Sequence, residues 1–176
     1  MERFFTTIDF ISSWIWVITV IAMPWLFINF LRFRSAYWNP SKASVRFPLI
    51  SFCLFSGPIL FIMFCGNILA FHERNRVLEV LNDPGTHPAV VVNGVTLANG
   101  DQVLAALKDL ASLPAHHSHP VQTLVLDIHS SRGELRLNLG RDSGDKHEYW
   151  VFSPAYWFTT RNEIGRLRTP IFDNIP

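Results

Sequence analysis

The sequence predicts a membrane α-helical hairpin of two transmembrane helices, followed by a small extracytoplasmic α+β domain built on an antiparallel sheet with one main helix. Three observations predict it. The 176-residue chain is divided in composition: twelve of its fifteen Phe lie between Phe4 and Phe71, and all seven His lie from His72 onward. Two long apolar runs in the first half carry no charge. In the second half, apolar residues alternate with polar ones at strand spacing. Apolar residues make up 49% of the chain and charged ones 16%, against about 25% charged in soluble domains. That balance excludes a single water-soluble globule and a disordered chain, and two cysteines exclude a disulfide scaffold. Residues 1–71 hold five basic and two acidic groups (+3), and residues 72–176 hold ten and twelve (−2), which gives the net +1. Neither half carries the basic excess of a nucleic-acid footprint, so no nucleic-acid partner is expected.

Residues 1–9 read as a short extracytoplasmic tail. The first span follows at residues 10–31 and the second at 47–71, each reaching the roughly 20 apolar residues that cross hydrocarbon. A cleaved signal peptide fits poorly, because the first run is too long for an h-region, Glu2 sits beside Arg3, and no small-residue cleavage site follows. Between the spans lies a basic loop, residues 32–46, with Arg32, Arg34, Lys42 and Arg46 and no acid. The positive-inside rule places it in the cytoplasm and both termini outside, in an integral protein of, as expected here, a bacterial inner (plasma) membrane. Trp14, Trp16, Tyr37 and Trp38 suit interfacial belts. Pro24 and Pro58 should bend their helices, while Asn29 and Asn67 should find headgroups or water near the helix ends. No Asp, Glu, Lys, Arg or His interrupts either span, so transport by this chain alone is not expected.

Residues 72–176 should fold as the α+β domain. Asn93-Gly94 between Ala89–Val92 and Val95–Leu97 is a two-residue hairpin signal. Asn99 or Asp101 can cap a helix reaching about Leu113, with Val103, Leu104, Leu107 and Leu110 on one face and Pro114 as its stop. Leu124, Leu126 and Ile128, then Leu135, Leu137 and Leu139, alternate with polar residues in two strands, and Ser130–Gly133 turns between them. His147–Phe152 is a further strand rich in aromatics. Beyond Pro154 the chain reads as irregular, apart from a short helix capped through Thr160 and Glu163.

Three groups of residues invite a functional reading. His116, His117 and His119 form a loop that could ligate a metal, although neighbouring loop side chains diverge and the domain has no Cys to complete a shell. Arg141-Asp-Ser-Gly-Asp145 matches a serine-protease nucleophile over three residues, yet those residues are equally what a tight turn selects. Trp150, Tyr156, Trp157, Phe158, Arg161, Arg166 and Arg168 combine the residue types enriched at protein interfaces. The expected function is therefore a membrane-anchored, non-catalytic protein that binds another protein through its extracytoplasmic domain. An accessory subunit of an envelope complex and a toxin-neutralising immunity protein both fit. The alternative is an extracytoplasmic ligand or metal sensor using the His116–His119 loop, and an enzyme with an unrecognised site ranks behind both. No catalytic residue or cofactor is expected; the expected partners are another protein and the lipid bilayer.

Overall fold

The structure, a computed structural model, describes residues 2–38, 49–82, 89–111, 117–130 and 133–173. Two compact units divide the chain, residues 1–67 and 68–176.

The first unit contains α1 (Glu2–Tyr37) and the greater part of α2 (Leu49–Leu81). Both helices are long and apolar enough to cross a membrane. Helix α1 begins at Glu2, so the segment expected as a tail is helical. Its 36 residues extend about 54 Å at 1.5 Å per residue, well beyond the apolar run alone. Burial along α1 is inverted relative to a water-soluble protein. Ser12 and Thr19 are buried at 2% and 4% exposure, whereas Ile21 is 72% exposed and Phe10 63% exposed. Less exposed positions recur at Phe5, Ile8, Asp9, Ser12, Ser13, Ile15, Thr19, Ala22, Leu26, Asn29 and Phe33, a stripe along the helix at three- and four-residue intervals.

Polar side chains in these helices turn back on their own backbone. Ser12, Thr19 and Ser56 donate to the carbonyls of Ile8, Ile15 and Phe52. Asn29 and Asn67 donate to Trp25 and Met63 at 2.9 and 2.8 Å. One N–H of each amide is thus bonded inside the helix, which leaves the other N–H and the Oδ1 acceptor for the headgroups or water that the sequence suggests. Pro24 and Pro58 both lie within continuous helix.

Helix α2 does not end at Phe71. The polar stretch His72–Arg76 contains neither Gly nor Pro, and the helix runs through it to Leu81. Val77 and Leu81, four residues apart, then fall on one face and join the core of the second unit.

That second unit is a six-stranded antiparallel sheet in the order β2-β1-β3-β4-β5-β6. Its strands are β1 (Ala89–Val92), β2 (Val95–Thr96), β3 (Pro120–Ser130), β4 (Gly133–Asp142), β5 (Glu148–Phe152) and β6 (Gly165–Arg168), with α3 (Gly100–Leu107) and α4 (Trp157–Arg161). Asn93 and Gly94 both take positive φ, 48° and 82°, the geometry of the tight hairpin turn they predict. Leu124, Leu126 and Ile128 pair in register with Leu139, Leu137 and Leu135. These six pack with Val103, Leu104 and Leu107 of α3, Val77 and Leu81 of α2, Tyr149, Val151, Leu167 and Phe172 in one core.

Two features depart from the expectation. Helix α3 stops at Leu107, not near Leu113, because Ala111 exchanges backbone hydrogen bonds with Arg166 at 3.1 and 2.8 Å while Leu110 stays in the core. Its partner, β6, lies in the segment read as irregular. Gly165 permits this approach, since a Cβ there would sit 2.9 Å from the Ala111 carbonyl oxygen.

Candidate functional site

Strand alternation sets the chemistry of β5. Tyr149 and Val151 face the core, which sends Glu148, Trp150 and Phe152 to the other side of the sheet. Pairing with β6 sets Trp150 opposite Arg166 and Glu148 opposite Arg168. The Arg166 guanidinium lies 3.8 Å from the centre of the Trp150 ring. It donates to Glu163 at 2.6 and 2.9 Å and reaches Glu148 at 3.4 Å. Glu148 is fully buried and also accepts from Arg168 at 2.9 Å. Arg166 is 2% exposed. This is an internal ion network, and Arg166, expected at an interface, belongs to the interior.

Beside it, Trp150 Nε1 donates to Asp142 Oδ2 at 2.7 Å. Asp142 Oδ1 accepts from the amides of Gly144 and Asp145 at 2.7 and 2.9 Å, and Ser118 donates to the same carboxylate. The Asp-Ser-Gly sequence thus builds a side-chain-closed turn. Burial opposes ionisation of Asp142, but the bonds from Ser118, Trp150, Gly144 and Asp145 outweigh it and hold the carboxyl well below the usual carboxylate range. Such a group is a poor general base. Ser143 Oγ lies 3.4 Å from His119 Nδ1, but both are exposed. No carboxylate bond orients the His119 ring among the hydrogen bonds and ion pairs described, so the pair lacks the third member of a nucleophilic triad.

The sign of the Asp142 contribution follows from its lowered value. The stabilisation is fully present above about pH 4, the unfolded carboxyl range, and fades as pH falls towards the folded value. Asp142→Asn sets an NH2 group against donors. We expect a loss of about 1–3 kcal/mol at neutral pH, with the gap to the wild type closing below pH 4. Thermal unfolding at pH 7 and at pH 3 measures it; an equal gap at both values would remove the charge from the explanation.

A third cluster joins α2 to the β5–α4 connection. Glu73 is fully buried. It accepts from Ser153 Oγ at 2.7 Å and from Arg76 at 2.8 and 2.6 Å. Thr159 Oγ1 donates to the Ser153 carbonyl at 2.8 Å, and the Ser153 amide donates to the Thr159 carbonyl at 3.1 Å. The His72 and Tyr156 rings lie 6.3 Å apart. At the opposite end of β5, Arg141 donates to the carbonyls of Phe172 and Asp173 and to the Tyr149 hydroxyl, which fastens the end of the described chain.

The seven aromatic and arginine residues do not form one surface. Tyr156 and Arg166 are buried, and Trp150 and Phe158 are half-buried. Trp157, 39% exposed, and exposed Arg161 stack on α4 with the guanidinium 4.5 Å from the ring centre. Arg168 is exposed but pairs with Glu148 at the start of β5, about 14 Å along the strand from its α4 end. Arg32 and Arg34 are exposed on α1, while Lys42, Arg46 and His116 lie outside the described residues. His117 and His119 are exposed, and among the described residues no three His, Cys, Asp or Glu side chains converge as a metal site. The burial of the carboxylates Glu73 and Glu148 has no clear signal in the sequence. The one signal for Glu73 was Arg76 three residues on, a spacing too common on helices to single out. No family model matches the chain, and no curated protein or solved structure shows significant similarity to it.

Proposed function

We propose that the chain is a membrane-anchored, non-catalytic protein whose α+β domain stands outside the cytoplasm and binds another protein. The observation that carries the membrane assignment is the exposure of large apolar side chains along both long helices, together with the buried polar residues of α1. Large apolar side chains such as Ile21, Phe27, Leu60 and Phe64 are 61–72% exposed while Ser12 and Thr19 are buried. A core helix of a soluble protein shows the reverse, and an apolar surface this continuous calls for hydrocarbon around it. Topology follows from Arg32, Arg34, Lys42 and Arg46 on one side against Arg3, Arg74 and Arg76 on the other, four to three. The excess of basic residues between the helices favours a cytoplasmic loop. In protein lacking Cys53 and Cys65, an impermeant thiol reagent should label Ser143→Cys but not Ser41→Cys in intact cells. The opposite result reverses the topology.

Saturation of the polar clusters supports a binding role. Asp142, Glu148 and Glu73 each accept several hydrogen bonds that fix turns, strands and a helix, and this holds them away from proton-transfer work. The surface left for a protein partner is the outer face of β3 and β4. There Val125 is 37% exposed in the middle of the sheet, flanked by the Asp127–Arg136 pair at 2.5 Å and the His129–Glu134 pair at 3.2 Å. Apolar area ringed by charge is the ordinary make-up of a non-obligate interface. A photo-crosslinking residue at position 125 should give one discrete heavier adduct in native membranes, and the same residue at Thr160 should not. Protein that stays monomeric from position 125 would sink the binding role.

A further inference from the structure

We propose that Trp157 and Arg161 form a headgroup anchor, which seats the lower edge of the domain on the bilayer surface and holds lipid phosphate with the guanidinium. The inference rests on the membrane assignment above and deepens it by naming what covers α4. Its location comes first. The outward apolar run of α2 ends at Phe71, 58% exposed, and the next residues fix α4 beside it. Glu73 holds Ser153 at 2.7 Å, and His72 lies 6.3 Å, ring to ring, from Tyr156, the residue before Trp157. Thr159 and Ser153 bond each other through side chain and backbone, so α4 cannot drift from that level without breaking buried hydrogen bonds.

The chemistry comes second. Tryptophan is the side chain that prefers the headgroup region, with an apolar body and one polar N–H. Arg161 stacks on that ring yet stays exposed, leaving its planar fork free to bind a phosphate through two donors. Residues 71–76 and 157–161 hold Arg74, Arg76 and Arg161 against Glu73; Arg76 is paired with Glu73, and Arg74 and Arg161 leave the net charge positive. Positive charge at this depth is what the phosphates of anionic lipid attract. A protein surface would satisfy the Trp157–Arg161 stack equally well but would not account for its level beside the end of the apolar run.

The test uses the full-length protein in vesicles of phosphatidylcholine, with and without phosphatidylglycerol. Emission specific to Trp157 is the difference between wild type and Trp157→Phe. Lipid brominated close to the headgroup should quench that difference and spare it from aqueous acrylamide, and Arg161→Gln should weaken the quenching in the anionic vesicles. Wild type and both variants should give the same far-ultraviolet spectrum, since neither change touches the core. A difference signal quenched by acrylamide and not by brominated lipid overturns the anchor. So does a signal protected from both, which would put protein over α4. Alkaline carbonate extraction of the same vesicles separates the two levels of the argument. Protein retained with unquenched Trp157 defeats the anchor alone, and protein released into the supernatant defeats the membrane assignment together with it.

Discussion

Arg166→Ala should cost about 3–5 kcal/mol, the range for removing one partner of a buried ion pair, and it should do so by unfolding the α+β domain and not by weakening a surface contact. The guanidinium is 2% exposed and lies between the Trp150 ring and the carboxylates of Glu148 and Glu163. Glu163 can turn towards water once its partner is gone. Glu148 cannot, because it is fully buried. The remaining bond from Arg168 offsets part of the loss, which places the cost nearer 3 than 5 kcal/mol. At about 4–8 °C per kcal/mol for a domain near 100 residues, the midpoint should fall by more than ~12 °C. Calorimetry of the full-length protein in detergent at pH 7 reads the effect. A midpoint within ~2 °C of wild type at pH 7 would mean that the network is open to water and not buried.

The elements legible in the sequence were those that depend on local periodicity. The two apolar runs, the Asn93-Gly94 turn and the alternating leucines of β3 and β4 need no partner to declare themselves, and each lies where its pattern places it. What the sequence hid depends on contacts between distant segments. Strand β6 has four residues, Gly-Arg-Leu-Arg, of which only Leu167 looks like core. It is a strand because β5 and Ala111 pair with it on either side. The early end of α3 has the same origin, since Ala111 is drawn to that edge. Arg166 read as a surface residue for a related reason: an arginine is buried only when carboxylates meet it, and beside the local Glu163 its buried partner, Glu148, lies eighteen residues away. The extension of α2 to Leu81 was legible in principle. Nothing in His72–Arg76 breaks a helix, but the change from apolar to polar composition at Phe71 marks the end of the apolar run and not the end of the helix.

Ile21→Arg should remove the full-length protein from the membrane fraction, although Ile21 is among the most exposed large apolar residues described, at 72%. If α1 stood in water, an arginine at such a position would be neutral or would improve solubility, because exposed substitutions usually change stability by less than about 0.5 kcal/mol. In hydrocarbon the expectation changes. Position 21 is near the middle of the run from Phe10 to Leu31, where the insertion cost of arginine is about 2.5–3.5 kcal/mol, and the favourable contribution of isoleucine is lost as well. A change of about 3 kcal/mol shifts the insertion equilibrium by roughly a hundredfold. The mid-span position leaves the guanidinium far from either interface to reach by snorkelling. Val121→Arg is the matched control: Val121 is 60% exposed on β3 of the domain, and an arginine there should leave membrane recovery unchanged. Carbonate-resistant protein is measured for wild type and both variants. Equal recovery of Ile21→Arg and Val121→Arg would mean that α1 is not surrounded by lipid at that depth, and the anchoring role assigned to the hairpin would fall with it.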